Sequence, residues 1–518
     1  HVRDFSINEN SGIKAEKRGK FIAFCEQGTT LKGKYIETGI DYLKRLGITH
    51  IHLLPSFDYE TVDESNLEVP QYNWGYDPKN YFVPEGSYST NPYRGEKRIR
   101  EFKEMVQSLH KNGIRVIMDM VYNHTYRTHD SNLNLAVPGY YYRQDINGNF
   151  SNGSGCGNEL ASERYMVRKL ILDSIIYWAK EYHIDGFRFD LMGLHDIETM
   201  QIIRKELDEI DPSILMYGEG WTGGGTPLKS DQAAIKQNII KFEKSQIAAF
   251  SDDTRDGVKG HVFNINERGY INGREGLEDT IKFCIVGATG QLGINYDRVI
   301  YSHWSWANEP YQCINYISAH DNYTLWDKLT MSNREDSIEK RKSMNKLAAA
   351  IVLTSQGIPF FQAGEEFLRS KKNEDGSFNH DSYNAPDKVN GLDWSRAYDY
   401  RDIVEYYRGL IKLRKKYRAF RMNSSEEIRK NLSFLNKGES FYKDNVVAYK
   451  IEDNSGRNLC NTIVVIFNPN DEETFIDLKE CGWSVLVNKE KAGVEEIYSI
   501  EGNNITVPSK CAHVLIKK

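Results

Sequence analysis

Asp185-Gly-Phe-Arg-Phe-Asp190 is a short apolar run that stops on a carboxylate. Residues two apart on a strand project to the same face, so Arg188 and Asp190 point together. A guanidinium so close keeps a carboxylate ionised and still, as a nucleophile requires. An ordinary strand-end ion pair would read the same way, so the weight falls on what other strand ends carry. Glu219 stands in Tyr217-Gly-Glu-Gly-Trp221, where a nearby indole would desolvate the carboxyl and suit it to give a proton. Asp321, in His320-Asp-Asn322, follows the run Ile314–Ser318. From there it could stabilise developing positive charge, with His320 donating to a hydroxyl. Asp119-Met-Val-Tyr-Asn-His124 closes another run, with Asp119, Val121 and Asn123 on one face and His124 turning toward the cleft. Singly these are a turn carboxylate, a helix cap and a hydrogen-bonded histidine. Three carboxylates on three strand ends suit glycoside hydrolysis, in which one attacks the anomeric carbon and another protonates the leaving oxygen.

The elements that would position them are repeated βα units up to about residue 370. Eight candidate strands are Val2–Ile7, Thr49–Leu54, Arg115–Met120, Gly186–Leu191, Ile214–Gly218, Ala248–Ser251, Ile314–Ser318 and Pro359–Gln362. Helical stretches lie between most of them, among them Arg98–Lys111, Glu163–Glu181, Ile197–Glu209 and Arg341–Ser355. Within Tyr165–Tyr177 the positions Met166, Val167, Leu170, Ile171, Ser174 and Ile175 recur at three to four residues, which favours one buried face. Eight such units close most economically as a (β/α)8 barrel, with a doubly wound open sheet as the other fold to weigh. The barrel predicts chemistry at the C-terminal strand ends, where His124, Asp190, Glu219 and Asp321 fall. The connections Asp58–Pro92 and Thr125–Asn158 read as long irregular walls of a cleft. Beyond about residue 425 the texture changes to short runs (Asn445–Tyr449, Thr462–Phe467, Trp483–Leu486, His513–Ile516), which predicts a small antiparallel β-sandwich over 426–518 beside a catalytic domain over 1–425.

At 518 residues the chain exceeds what one hydrophobic core usually supports, which agrees with two domains. A net charge of -6 leaves no basic footprint for nucleic acid, and no run approaches the ~20 apolar residues of a membrane span. Seven scattered cysteines, none in a C-x-x-C pair, indicate neither a zinc site nor a disulfide framework. The 12% of aromatic residues suits stacking on sugars, although a large core uses aromatics too. Gly218-Glu-Gly-Trp-Thr-Gly223 fits a dinucleotide fingerprint, but Gly224-Gly-Thr-Pro227 forbids the helix that should follow.

Asp119–His124, Gly186–Asp190, Gly218–Trp221 and Ala319–Asn322 resemble, in order, the four short motifs of the α-amylase superfamily. Tyr72-Asn-Trp-Gly-Tyr-Asp-Pro78 resembles the signature of type I pullulanases, and Phe82–Tyr88 is similar to that subgroup too. The resemblance covers residues 1–425 and the following sandwich. It implies Asp190 as nucleophile, Glu219 as general acid/base and Asp321 as transition-state stabiliser. It implies that His124, Arg188, His320 and Asn322 hold the sugar, that Tyr76 stacks on it and that Trp221 lines the cleft. Asp387, in a loop that departs from the family pattern, is a further sugar ligand on this reading. The implied reaction is retaining double displacement at α-1,6 bonds of pullulan, amylopectin or glycogen-derived dextrins, with the two carboxyls roughly 5–5.5 Å apart.

Two other readings compete: an isoamylase or glycogen-debranching relative, and a silent carbohydrate-binding barrel that would lack one of the acids. The chemistry requires no cofactor. A structural calcium ion at Asn123 and nearby acids is the metal expectation, while Asp252–Asp256 reads as a structural turn. A monomer is expected, and the cytoplasm is favoured over secretion as its compartment. Related enzymes carry upstream sandwich-like domains, and the chain opens within its presumed first strand, so an N-terminal truncation is expected.

Overall fold

The computed structural model describes residues 1–452 and 462–517. The chain divides into two compact units, one of residues 1–250 and 382–395, the other of residues 251–381 and 396–518.

In the first unit the parallel strands are β1 (His50–Leu53), β4 (Arg115–Met120), β5 (Gly186–Phe189), β6 (Leu215–Gly218) and β7 (Ala248–Phe250), hydrogen-bonded in that order. The helices Gly95–Lys111, Tyr165–Glu181 and Ile197–Ile210 alternate with them. β5 shows why the run folds as it does. Phe187 and Phe189 are fully buried on one face, each contributing roughly 1.5–3 kcal/mol, and Arg188 projects from the other. Gly186 is obligatory, because a β-carbon there would lie 2.9 Å from Ile117 and 3.0 Å from the Leu215 carbonyl. Asp185 ties the start of β5 to β4 by accepting from His110 Nε2 (2.7 Å), Arg115 Nε (3.0 Å) and the Val116 N–H (2.7 Å).

Three expectations need correction here. Val2–Ile7 is not a strand: Val2–Ser6 is a helix, started by the His1 ring accepting from the Asp4 N–H and packed through Phe5 against Phe24 at 4.2 Å. Asp58–Pro92 is not irregular throughout, since β2 (Phe57–Tyr59) and β3 (Pro78–Pro84) pair antiparallel. Met166 is exposed, so the buried face of Tyr165–Glu181 runs instead through Val167, Ile171, Ser174, Ile175 and Trp178.

In the second unit β8 (Cys313–Asn315) and β9 (Ile358–Pro359) are parallel neighbours. Asp252–Asp256 forms no turn: it opens the helix Asp252–Lys259, whose first-turn acids Asp252 and Asp253 complement the helix dipole. The all-β part contains β10 (Leu432–Phe434), β11 (Val447–Glu452), β12 (Thr462–Asn468), β13 (Thr474–Asp477), β14 (Trp483–Val487), β15 (Tyr498–Ile500), β16 (Asn504–Val507) and β17 (Cys511–Lys517). Six of these form an antiparallel sheet in the order β10-β11-β12-β17-β14-β15. Val464, Ile466 and Leu515 of that sheet pack against Ile476, Ile505 and Val507 of the β13–β16 ribbon, which makes the expected sandwich. The other face packs on the helix Ile338–Thr354, where Tyr449 donates to the Thr354 carbonyl at 2.9 Å.

Candidate active site

Register alone aligns the polar row of the first unit. Asp119 on β4 pairs with Arg188 on β5, and Arg188 pairs in turn with Tyr217 on β6. Parallel strands in register place these side chains at one level, just below the C-terminal ends. Arg188, only 2% exposed, donates from Nη1 to Asp119 Oδ1 and to Asp190 Oδ1, both at 2.8 Å, while its Nη2 lies 2.6 Å from Glu219 Oε1. Burial opposes the guanidinium charge, but Asp119, Glu219, Tyr76 and Asp190 outweigh it and hold the group protonated, its pKa well above the ordinary value.

Both carboxylates reach the surface of the site. The Asp190 side chain is 13% exposed and that of Glu219 8%. Asp190 also accepts from Asn123 Nδ2 at 2.7 Å, and Glu219 Oε2 accepts from the Leu191 N–H at 3.0 Å. Leu191 adopts φ 40°, a left-handed conformation that a branched residue takes at a cost, and this turn aims its N–H at the neighbouring acid. His124 is buried beside them, with Nδ1 2.6 Å from Asn123 Oδ1. Desolvation pushes its imidazole down to about 4, against a hydrogen bond to the Tyr76 backbone, so it is neutral at physiological pH.

Tyr76 donates to Asp119 Oδ2 at 2.7 Å, and the Arg188 guanidinium lies 5.8 Å from its ring centroid. Gly75 makes the approach possible: its φ is 94°, and a β-carbon there would strike the Tyr59 ring at 2.9 Å. Trp221 is half-buried on the turn that leaves β6. Asp387 lies at the first turn of Asp387–Asn390 and is gripped by Arg3, whose Nε and Nη2 donate to its two oxygens at 2.6 Å each. This bidentate pair gives Asp387 a structural partner.

The other residues singled out in the sequence lie in the second unit. His320 Nε2 is 3.4 Å from Asp321 Oδ1, and the Asp321 side chain is half exposed. Asn322 follows in a left-handed conformation, φ 61°. Below them Ser318 donates to the buried Glu365 at 2.5 Å, and Lys371 Nζ donates to the His320 carbonyl at 3.1 Å. Glu365 is pushed up to about 7, chiefly by burial.

Sequence reasoning gave Asp119 and His52 no role. Asp119 is fully buried and receives Arg188, Tyr76 and, at 3.2 Å, His52 Nε2. Asn123 spends its amide on Asp190 and His124. Among the described residues, the carboxylates of Asp58, Glu64 and Glu85 come within 4.8 Å of one another. Arg98 already pairs with Glu64, and burial followed by the Glu64 charge pushes Glu85 up to about 8, so the trio is balanced internally.

Parallel strands whose C-terminal ends carry paired carboxylates on a buried arginine define an amylase-type α/β protein. The alpha amylase catalytic domain family matches residues 10–135, and the pullulanase all-beta domain family matches residues 428–491. The chain is 39% identical over 467 residues to the pullulanase of Bacillus subtilis, aligning 90% of this chain with 61% of that protein. The solved pullulanase of Paenibacillus barengoltzii, in complex with maltohexaose and alpha-cyclodextrin, superposes with a TM-score of 0.90 at 45% identity, covering all of this chain and 76% of that one. The pullulanase of Bacillus acidopullulyticus gives a TM-score of 0.91 at 42% identity, with this chain spanning 60% of its length. The chain belongs to the type I pullulanase family of the α-amylase superfamily, with the expected barrel-type α/β fold and C-terminal β domain. It spans about three-fifths of the Bacillus relatives it matches.

Proposed function

We propose that the chain is a retaining debranching hydrolase that cuts α-1,6-glucosidic bonds in pullulan, amylopectin and limit dextrins. The observation that carries this reading is the shared guanidinium: Arg188 binds Asp190 through one terminal nitrogen and Glu219 through the other. Two carboxylates held by one guanidinium favour the close-set regime of retaining enzymes, roughly 5–5.5 Å, over the wider one that admits a water between them.

Asp190, charge-paired and hydrogen-bonded by Asn123, attacks the anomeric carbon. Glu219, on the next strand, protonates the leaving oxygen and then deprotonates the water that releases the glycosyl-enzyme. Asp321 supplies negative charge to the oxocarbenium-like transition state, with His320 donating to a sugar hydroxyl. Neutral His124 gives its one N–H to the protein and lies beside the sugar, holding Asn123 against Asp190. Tyr76 offers its ring as the stacking platform. Nucleophile and proton both come from carboxylates, so these steps call for no metal. Linkage preference follows the family, whose Tyr72–Pro78 stretch holds Tyr76 in place.

The protein, beside Asp190→Asn and Glu219→Gln variants, is incubated with pullulan and separately with amylose. Maltotriose from pullulan, little product from amylose and loss of activity in both variants is the expected outcome. Amylose cleavage would keep the superfamily chemistry and overturn the debranching reading. Inactivity of the folded wild type on both would favour a binding role.

A further inference from the structure

Glu159 is fully buried in the connection after β4 and uses only one of its carboxylate oxygens. Oε1 accepts from Thr226 Oγ1 at 2.6 Å and from Arg143 Nη1 at 3.3 Å, while Oε2 is buried without a partner. Neutralising Arg143 does not explain this placement, because Arg143 Nη2 already donates to Glu163 at 2.8 Å. What Glu159 adds is the link to Thr226, which ends the glycine-rich turn that begins with Glu219 and Trp221.

The surroundings show two connections cut to fit each other. The Gly224 N–H donates to the Gly153 carbonyl at 2.8 Å. A β-carbon at Gly223 would lie 2.3 Å from the Ser154 carbonyl oxygen, and one at Gly153 would lie 1.8 Å from Glu159 Oε2. Arg143 fastens a third piece: its Nη2 donates at 2.8 Å to the carbonyl of Leu194, in the turn after Asp190. That turn is closed onto the acid by the Gly193 N–H, 3.0 Å from the Glu219 carbonyl.

We propose that Glu159, braced by Arg143, is a positioning residue: a buried latch that fixes the 219–227 turn through Thr226. It thereby sets where Trp221 meets a glucan chain and where Glu219 is aimed. The link to a glucan rests on the debranching reading; the latch itself does not. A buried carboxylate holding a short hydroxyl is directional where apolar packing is not, and a misplacement of about 1 Å near a reacting centre can cost a hundredfold in rate.

Thr226→Val removes the hydroxyl from a half-buried position at constant shape, which guards against a Glu159→Gln variant that fails to fold. In both, amide exchange over residues 220–227 is expected to rise about tenfold while that of β4 to β6 is unchanged. KM for pullulan should rise about tenfold, with kcat falling less, and the double variant should be no worse than the poorer single one. Unchanged exchange over 220–227 in Thr226→Val, or a lowered Tm with KM and kcat intact, would overturn the latch. Faster exchange in the variants together with a wild type that leaves pullulan uncut would uphold the latch and remove the debranching reading instead.

Discussion

Arg188 Nη2 lies 2.6 Å from Glu219 Oε1 although the same guanidinium already serves Asp190 at 2.8 Å. One side chain therefore sets the spacing of both acids, with Asp119 behind it as a third acceptor. Lysine would keep a positive charge in this buried place but not the planar fork. Arg188→Lys is expected to lower kcat on pullulan by about a hundredfold or more, with a smaller change in KM. Steady-state kinetics would check it; a variant within threefold of wild type would show that charge alone suffices.

Gly75 is the hinge on which Tyr76 turns toward Asp119. Alanine there combines a φ of 94° with contacts of 2.9 Å to the Tyr59 ring and 3.1 Å to Pro55. Gly75→Ala is expected to cost about 1–3 kcal/mol of stability and to raise KM by swinging the Tyr76 ring off its place. Thermal unfolding alongside KM for pullulan separates the two effects. If only the melting temperature moves, Tyr76 is not positioned by this turn.

The pair Arg188 and Asp190 was legible because strand periodicity alone puts residues two apart on one face. Strand positions for β4, β5 and β6 followed from β-branched and aromatic runs that end on chemistry-bearing residues. What could not be read was anything set by register between strands. Asp119 lay inside a quoted motif, yet its role depends on its pairing opposite Arg188 in the next strand. Likewise the indole two residues from Glu219 was legible in the sequence, but the cation that reaches Glu219 from β5 was not. Val2–Ile7 has its apolar residues at 2, 5 and 7, and six residues are too few to separate periods of 2 and 3.6. Tertiary contacts decided for a helix there: Tyr72 donates to the buried Asp4 at 2.7 Å, and Trp394 donates to the Phe5 carbonyl at 3.0 Å.

His124 is pushed down to about 4 by burial, from about 6.5 in the unfolded chain. Between those values the unfolded state binds the proton and the native state does not. Stability is therefore lost as pH falls through that window, by up to about 1.4 kcal/mol per pH unit from this group. His124→Asn should lose less melting temperature than wild type between pH 6.5 and 4.5. The imidazole should also show no NMR titration between pH 5 and 8, and a midpoint near 6.5 would contradict a neutral His124 in the site.

Asp185 works at the opposite strand end and with the opposite charge logic. Burial alone would raise its pKa, but His110, the Val116 N–H and Arg115 more than offset this, and the carboxyl is held below its ordinary value. Its contribution is thus fully present above the unfolded pKa of about 3.9 and disappears as pH falls through the lower folded value. Asp185→Asn keeps the shape but removes the charge from His110 and Arg115. The expected loss at pH 7 is about 2–4 kcal/mol, shrinking as wild type and variant are compared toward pH 3. Denaturant unfolding at pH 7 and pH 3 measures both. An equal gap at the two pH values would mean that Asp185 stabilises β4 and β5 through hydrogen bonds rather than through its charge.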